Sequence, residues 1–291
     1  MLLRWLVTHV VRPAAEQKLR ETVADMIRPR RPPESAAEDP HSGPALELPP
    51  CQLAFVFGSS VESEALVGQL KRCVTTRCAS YVEHAGQLAS KHVVVAESGV
   101  GRAAAAKATE DLIAVSHPAW VVAAGFAAAI QPQLRRGQIV MADHVLDVHG
   151  RQLSMGLKVD PAAAMQGCHV GGLLTIDRLV RTPQEKQELG ASYHALACDM
   201  ETMAVAEACR QAKVRFMAVR VISDALDDRM PPEVEGFFGQ KTVAGKLGAA
   251  TGALFQRPSV VKDLWHLRDE AAKAAERLAK FLLGVAAQLP T

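Results

Sequence analysis

Short apolar runs alternate with helical stretches along most of this 291-residue chain, and this alternation constrains its fold more than any other feature. Six runs have the length and composition of buried strands: LAFVF (53–57), HVVVAES (92–98), WVVAAG (120–125), QIVMADHVLDV (138–148), GGLLTIDRLV (171–180) and RFMAVRVISD (215–224). Other stretches have helical character: VESEALVGQL (61–70), RAAAAKATEDLIAV (102–115), TPQEKQEL (182–189), TMAVAEACRQA (202–212), and the closing segments 239–256 and 259–288. Repeated β-then-α units predict an α/β fold, a three-layer αβα sandwich with a central mixed sheet.

Two N-terminal segments stand apart, so the predicted organisation is a helical appendage (1–28), a linker (29–50) and one α/β domain (51–291). The linker holds seven of the sixteen prolines. Four apolar side chains share one helical face of the appendage: Leu3, Leu6, Val7 and Val10. This apolar stretch is too short to span a membrane. It either rests on a membrane surface with Trp5 as anchor or docks on its own domain or a second subunit.

Charge and cysteine usage exclude several classes of protein. The net charge is only +2, from 33 basic and 31 acidic residues that are well mixed, so the chain lacks the basic stripe of a nucleic-acid-binding surface. The six cysteines form no CxxC pair, which favours a reducing, cytoplasmic setting. No apolar run reaches the length of a membrane span, and we therefore expect a cytoplasmic protein, with membrane association only through residues 1–28.

Acidic residues follow two of the apolar segments at the point where a buried strand is expected to stop. Asp199 and Glu201 lie in ACDMET (197–202), and Asp224 ends VRVISD (219–224). In open α/β sheets the ligand crevice lies beyond the carboxyl ends of the strands. The sequence therefore predicts that Glu201 and Asp224 face one cleft, whereas Asp199 suits a capping or ion-pair role.

Four collinear strings carry a family resemblance. The string CDMETMAVAEACRQAKVRFMAVRVISDALD (198–228) is similar to the signature of methylthioadenosine/S-adenosylhomocysteine nucleosidases and their nucleoside phosphorylase relatives. SGVGRAAAA (98–106) and AAGFAAAIQPQLRRGQIVMADHV (123–145) resemble two further motifs of that superfamily. GLLTIDRLVRTPQEK (172–186) resembles most its hopanoid-associated nucleosidase branch. The resemblance covers about residues 52–256 and implies a homo-oligomer that acts on a small purine nucleoside without a cofactor.

The resemblance implies a role for each matching residue. Asp224 matches the catalytic aspartate that protonates purine N7, and Glu64 matches the glutamate that positions the attacking water, with Glu62 as the alternative. Glu201 matches the acid that holds the ribose hydroxyls, and Met200 the residue beneath the sugar. The remaining matches line the substrate pocket: Leu179, Val180, Phe126, Ala127 and Ala128. Ala128 replaces a glycine of the family, and its Cβ is expected to narrow the pocket or restrict the backbone.

Cleavage of a ribosyl C–N bond passes through an oxocarbenium-like state, so it needs a proton donor on the leaving base and a base on the water. Asp224 follows a strongly apolar strand, where burial should raise its pKa and keep it protonated. Ala123 and Phe126 stand where phosphorylases carry an arginine and a hydroxyl, so water is the expected nucleophile. A phosphate-dependent phosphorylase, which would need phosphate as co-substrate, and a silent nucleoside-binding module remain alternatives. A lipid-linked nucleoside such as adenosylhopane is a further possibility for the substrate.

Two other patterns lead elsewhere and are set aside. GVGRAA (99–104) imitates a dinucleotide-binding fingerprint, but the acidic residue expected about 20 positions later is missing. Four residues could be drawn as a metal site: Asp143, His144, Asp147 and His149. Their spacing matches no known metal motif, and we therefore predict no bound metal.

Overall fold

A computed structural model describes residues 50–155, 167–230 and 259–290, and for 259–268 only the backbone. The predicted appendage, all but the last residue of the linker and the predicted helix 239–256 lie outside these described residues. Ten strands are present in the described part of the chain: β1 (Leu53–Phe57), β2 (Lys71–Arg77), β3 (Val82–Leu88), β4 (Lys91–Glu97), β5 (Trp120–Ala129), β6 (Ile139–Asp147), β7 (Gln152–Ser154), β8 (Cys168–Thr175), β9 (Ala197–Asp199) and β10 (Arg215–Asp224).

Five helices accompany the strands within these residues: α1 (Ser60–Val67), α2 (Arg102–Ser116), α3 (Pro183–Tyr193), α4 (Thr202–Ala212) and α5 (Ser259–Gln288). Helix α3 begins as the sequence predicts, with Thr182 as N-cap and Pro183 in its first turn. The Thr182 hydroxyl and the Glu185 carboxylate form a reciprocal capping box. No helix among the described residues combines the length and apolarity needed to cross a membrane.

All ten strands belong to one mixed sheet, in the order β10-β6-β8-β9-β5-β1-β4-β3-β2, with β7 added beside β6. Strands β4, β1, β5 and β10 run parallel, whereas β2 and β3 pair antiparallel with their neighbours. Strand β6 pairs antiparallel with β10 and parallel with β8. Strand β10 also pairs with β5, so β5, β10, β6, β8 and β9 close into a ring. The central mixed sheet is confirmed, and part of it is curled into a barrel.

Alternate side chains of the sheet face two separate helical layers, because successive residues of a strand point to opposite sides. On one side, Ala54 and Val56 of β1 belong to a core with residues of α2 and α4, such as Leu112 and Met203. On the other side, the remaining β1 residues pack with Leu66 of α1 and with α5 residues Ala274, Leu278, Leu282 and Ala286. These layers are the αβα sandwich predicted from the sequence.

Apart from the short strands β7 and β9, which the sequence did not predict, the structure departs from the predicted elements in two places. Strands β2 and β3 form a hairpin that we did not predict, and every residue of β2 is exposed. The predicted strand 171–180 ends at Thr175, and residues beyond it form the loop that leads to Thr182. Both departures are places where the apolar pattern is a poor guide, since an exposed edge strand carries no apolar face and apolar residues also line loops.

Candidate active site

The centre of the site is Arg220, a strand residue whose side chain is only 1% exposed. Its Nη2 atom lies 2.5 Å from Asp199 Oδ2 and donates to Thr202 Oγ1 at 2.8 Å. The same nitrogen is 4.0 Å from Glu201 Oε2. Asp199 also accepts hydrogen bonds from the Thr175 hydroxyl and from the N–H of Thr202, the first residue of α4, so it binds the start of that helix and pairs with the guanidinium.

Glu62 brings a second carboxylate to this guanidinium. Its Oε1 accepts a 2.7 Å hydrogen bond from the Phe126 N–H, and its Oε2 accepts one from the Ser59 hydroxyl at 3.0 Å. Burial raises the pKa of Glu62, and the positive charge of Arg220 opposes that rise. Glu62 therefore joins the end of β1 to the middle of β5.

Glu64, the residue that we first expected here, lies on the exposed side of α1. Two positions along an α-helix rotate a side chain by about 200°, so Glu62 and Glu64 cannot face the same cluster. The structure therefore replaces Glu64 with Glu62, the alternative that the sequence had left open.

Gly125 allows these groups to approach each other. A Cβ atom at this position would lie 2.3 Å from Arg220 Nη1 and 2.6 Å from Glu62 Oε1, well inside van der Waals contact. Its φ of 153° is also a value that residues with side chains rarely adopt. In contrast, Ala128 has no positive φ and pairs with Cys198 of β9 and, just past a β-bulge, with Asp224 of β10, so its Cβ does not restrict the backbone there.

Glu201 is the third carboxylate of the cluster. Its Oε1 accepts the Gly101 N–H at 2.7 Å, which ties it to the glycine turn before α2. Burial raises the pKa of Glu201 to about 7; Arg220 opposes this, while the charges of Asp199 and Glu62 add to it. A Cβ on Gly58 would lie 3.3 Å from Glu62 Oε2 and 3.5 Å from Glu201 Oε1, so the two carboxylates flank the same point of the backbone.

One guanidinium nitrogen of the cluster, Arg220 Nη1, is unpaired among the described residues. Within the described residues, Arg220 Nη1 is buried and has no hydrogen-bond partner, and it faces the gap over Gly125 beside Glu62. Buried guanidinium hydrogens are costly to leave unpaired, so a ligand oxygen or a water is expected at this point. With Asp199 already engaged by Thr175, Thr202 and Arg220, the carboxylates of Glu62 and Glu201 are the ones suited to accept hydrogen bonds from hydroxyl groups of a ligand.

Asp224 lies four residues beyond Arg220 on the same strand. A β-bulge between Ile222 and Asp224 shifts the pairing so that Asp224 lies opposite Ala128, and bulges commonly re-aim a side chain in this way. Its carboxyl group accepts the Ser223 hydroxyl at 2.7 Å and forms a 2.6 Å ion pair with Lys186. Burial raises the pKa of Asp224, and the Lys186 charge opposes that rise.

The remaining predicted residues lie around the same end of the sheet. Val180 is buried in a small core with Leu174, Ile176 and Cys198, and Leu179 before it is half-buried. Met200 is half-buried between Asp199 and Glu201. Phe126 and Ala128 are half-buried, whereas Ala127 is buried and its carbonyl accepts the Ser223 hydroxyl.

Sequence reasoning missed Arg220, Lys186 and Gly125. A charged residue inside the apolar run VRVISD could have indicated Arg220, because an unpaired charge is rarely placed between buried valines. Lys186 gave no such signal, since lysine is common on helix surfaces.

The four residues set aside as a metal site have structural partners. Asp147 is fully buried; its carboxylate accepts the backbone N–H groups of His149 and Arg151 and pairs with the Arg151 side chain. Asp143 contacts the neighbouring His144 at 2.6 Å. Asp147 therefore holds the hairpin between β6 and β7.

Comparison with known proteins gives a consistent result. The family profile of the Phosphorylase superfamily matches residues 52–254. The chain is 28% identical over 210 residues to a 5′-methylthioadenosine/S-adenosylhomocysteine nucleosidase from Tolumonas auensis, covering 64% of this chain and 91% of that protein. It is 29% identical over 219 residues to the same-named protein of Aeromonas salmonicida, covering 67% and 94%.

Solved structures with the same fold include the S. pneumoniae 5′-methylthioadenosine/S-adenosylhomocysteine nucleosidase with a transition-state inhibitor. The match has a TM-score of 0.63 at 19% identity and covers 82% of this chain and all of that one. Futalosine hydrolase of Helicobacter pylori matches with a TM-score of 0.60 at 15% identity, over 82% of this chain and 98% of that one.

Proposed function

Because the chain belongs to the phosphorylase superfamily, we propose that it is an enzyme that hydrolyses the N-glycosidic bond of an adenine-type purine nucleoside. The products are the free base and the ribosyl moiety, and no cofactor is required. The main support for the proposal is the cluster of Glu62, Glu201 and Arg220. Arg220 lies on β10, the strand that ends in Asp224. The relatives named above as nucleosidases support the same reaction.

The cluster is assigned to the sugar and the attacking water. Glu201 accepts hydrogen bonds from the ribose hydroxyls, and Met200 packs beneath the ring. Glu62 takes a proton from the water as the water oxygen bonds to the anomeric carbon, and the free Nη1 hydrogens of Arg220 hold that oxygen. Such a base is typically worth about 10²–10⁴-fold in rate.

Asp224 is assigned to the leaving base. Its proton passes to purine N7 while the electron pair of the breaking C–N bond moves into the ring, and the base departs neutral. The raised pKa of Asp224 supports this role, because burial favours the protonated form that can donate. Leu179, Val180, Phe126, Ala127 and Ala128 are proposed to surround the substrate.

The charges of the cluster favour water over phosphate. A phosphate dianion would meet the carboxylates of Glu62 and Glu201 and only one guanidinium, a net repulsive environment. Ala123, which stands where phosphorylases carry an arginine, is fully buried inside β5 and offers no cation.

A nucleoside panel assayed for free base, in phosphate buffer and in phosphate-free buffer, tests the proposal. We expect equal adenine release in both buffers and near-complete loss in the Asp224→Asn variant. Release only with phosphate would establish a phosphorylase, and binding of adenosine without release would establish a nucleoside-binding module. Either result would overturn hydrolysis.

Three further properties are proposed for this protein. The family resemblance supports a homo-oligomer, which sedimentation would measure. All six cysteines are free, which supports a reducing, cytoplasmic compartment. The third property is peripheral membrane contact through residues 1–28, and with it a lipid-linked nucleoside substrate. Its test is co-sedimentation with liposomes, which should be lost when these residues are deleted.

A further inference from the structure

A lysine that no part of the proposed reaction uses is buried beside Asp224. Lys186, in the first turn of α3, has a side chain with no solvent exposure. Its Nζ lies 2.6 Å from Asp224 Oδ2 and donates to the carbonyls of Ala225 at 2.7 Å and Asp228 at 2.9 Å. Fully buried lysines are rare unless they are paired. The ion pair with Asp224 and the two carbonyl contacts therefore explain how this charge can be buried.

The local structure holds the ammonium group rigidly. The Thr182–Glu185 capping box fixes the first turn of α3, and the Lys186 N–H donates to the Thr182 carbonyl. The two carbonyl contacts anchor the group to the loop that follows β10. The ammonium position is therefore set by backbone on two elements and does not depend on a bound ligand.

The two oxygens of Asp224 are not equivalent. Oδ1 accepts the Ser223 hydroxyl, whereas Oδ2 is buried and, among the described residues, has no hydrogen-bond partner of good geometry despite its short ion pair with Lys186. The positive charge of Lys186 lies directly next to Oδ2. Negative charge that develops on this carboxyl group therefore develops in direct contact with an ammonium group.

We propose that Lys186 is a positioning residue that stabilises the Asp224 carboxylate formed when the leaving base takes its proton. This inference rests on the proposed hydrolysis. The proton moves from the Asp224 carboxyl group to the ring nitrogen, the bonding pair of the C–N bond enters the purine, and Lys186 transfers no proton. Without the ammonium group, a bare carboxylate would be left in a buried site, which is strongly unfavourable.

Other charged or titratable groups around Asp224 are already engaged. Asp228 accepts the Ala225 N–H and pairs with Arg136 at 2.6 Å on the outer side of the loop. Cys198 of β9 is buried, and burial together with the nearby Asp224 charge raises its pKa so that it stays a neutral thiol. The positive charge of Lys186, together with the Ser223 hydrogen bond, therefore opposes the effect of burial on the pKa of Asp224.

The test compares the pH profile of base release for the wild type and three Lys186 variants. Lys186→Met removes both the charge and the donors, Lys186→Gln keeps donors for the two carbonyls without the charge, and Lys186→Arg keeps the charge. We expect the Met and Gln variants to lose about tenfold or more in kcat. Their alkaline limb should move up by at least about one pH unit, the lower end of the effect of an adjacent opposite charge.

The Lys186→Arg variant should recover part of the rate lost in the Met and Gln variants, and the alkaline limb of its pH profile should match that of the wild type. Gln187→Met, an exposed change at the neighbouring position of α3, is the matched control and should keep the wild-type pH profile. In an Asp224→Asn background, Lys186→Met should cause little further loss, because the group that it assists is gone.

If Lys186 only held the loop after β10 through its hydrogen bonds to the two carbonyls, the variants would behave differently. Lys186→Gln would then resemble the wild type, and none of the variants would shift the alkaline limb; that result would overturn the proposal for Lys186 and leave the hydrolysis standing. If the wild-type protein released no base from any nucleoside, the proposed function and this inference would both be overturned.

Discussion

At the scale of single residues, Arg220 shows how one charge organises a site. It occupies a position in β10 between the buried Val219 and Val221, and its guanidinium lies near carboxylates from two distant segments of the chain, Glu62 and Glu201. Burial of these acids is tolerated because the guanidinium compensates part of their charge. The cluster therefore depends on Gly125, the residue over which these groups meet.

Because Glu62 lies at the cluster and Glu64 does not, the two acids of α1 give a paired prediction. Glu62→Gln should lower kcat by about 10²–10⁴-fold, because the amide can still accept the Phe126 N–H but cannot take a proton from water. Glu64→Gln, on the exposed side of α1, should leave kcat unchanged. Steady-state base release measures both, and a loss in Glu64→Gln with activity retained in Glu62→Gln would restore the original assignment.

A methyl group at Gly125 should disrupt the cluster. Gly125→Ala places a carbon 2.3 Å from Arg220 Nη1, so the guanidinium or Glu62 must move. We expect loss of most base release and a decrease in the free energy of unfolding of about 1–3 kcal/mol, typical of overpacking. Gly284→Ala in α5 is the control, since nothing lies within 4 Å of its new Cβ. Thermal melts and turnover that match between the two variants would contradict this reading of Gly125.

At the scale of elements, the short helix α3 matters through its first turn. Its capping box satisfies N–H groups at the helix start and sets the direction in which Lys186 leaves the backbone. The sequence TPQEK carries this information locally, which is why the start of α3 could be predicted from the sequence alone.

Loss of the cap should be measurable in stability and in activity. Thr182→Ala should lower the free energy of unfolding by about 0.5–2 kcal/mol, because the Glu185 N–H loses its acceptor. It should also reduce kcat if the first turn positions Lys186. Gln187→Ala, an exposed change in the same helix, should do neither. Chemical denaturation and base release of both variants provide the comparison, and a kcat unchanged in Thr182→Ala would separate the cap from the site.

Elements without an apolar pattern could not be predicted. The hairpin of β2 and β3 has polar and charged residues, and its strand character comes from pairing with β4, a contact between segments that sequence periodicity does not report. The apolar residues at 176–180 misled the prediction in the opposite direction, because they pack as a loop against the small core that contains Cys198.

At the scale of the whole molecule, the cluster affects stability as well as chemistry. The pKa of Glu201 rises from an ordinary value of 4.5 to about 7 in the folded state. The folded protein then binds a proton more tightly than the unfolded chain, so this contribution is complete below pH 4.5 and is lost as the pH rises through about 7.

Glu201→Gln should remove that dependence. Its amide can still accept the Gly101 N–H, but it never becomes charged. The melting temperature of the variant, relative to the wild type, should therefore increase steadily between pH 4.5 and 7.5, a range chosen to bracket both pKa values. Thermal melts across that range measure it, and a constant difference would show that the burial of Glu201 does not shift its titration.

Long-range contacts also close the domain. Lys91 at the start of β4 donates to the carbonyls of Ala286 and Leu289, and the Trp120 indole donates to the Pro290 carbonyl. These bonds join residues 170 to 198 positions apart and hold the C-terminal end of α5 against the sheet. Nothing in the local sequence indicates such pairs.

The amino-acid sequence determined the α/β class, most strand positions, the cap of α3 and the two acidic segments, because periodicity, caps and motifs are properties of neighbouring residues. The tertiary structure decided which acid of α1 faces the cluster, that Arg220 and Gly125 form its centre, and that Lys186 lies beside Asp224. These facts depend on helix rotation, a β-bulge and contacts between distant segments. Such contacts arise only when the sheet has closed and its buried charges have had to find partners.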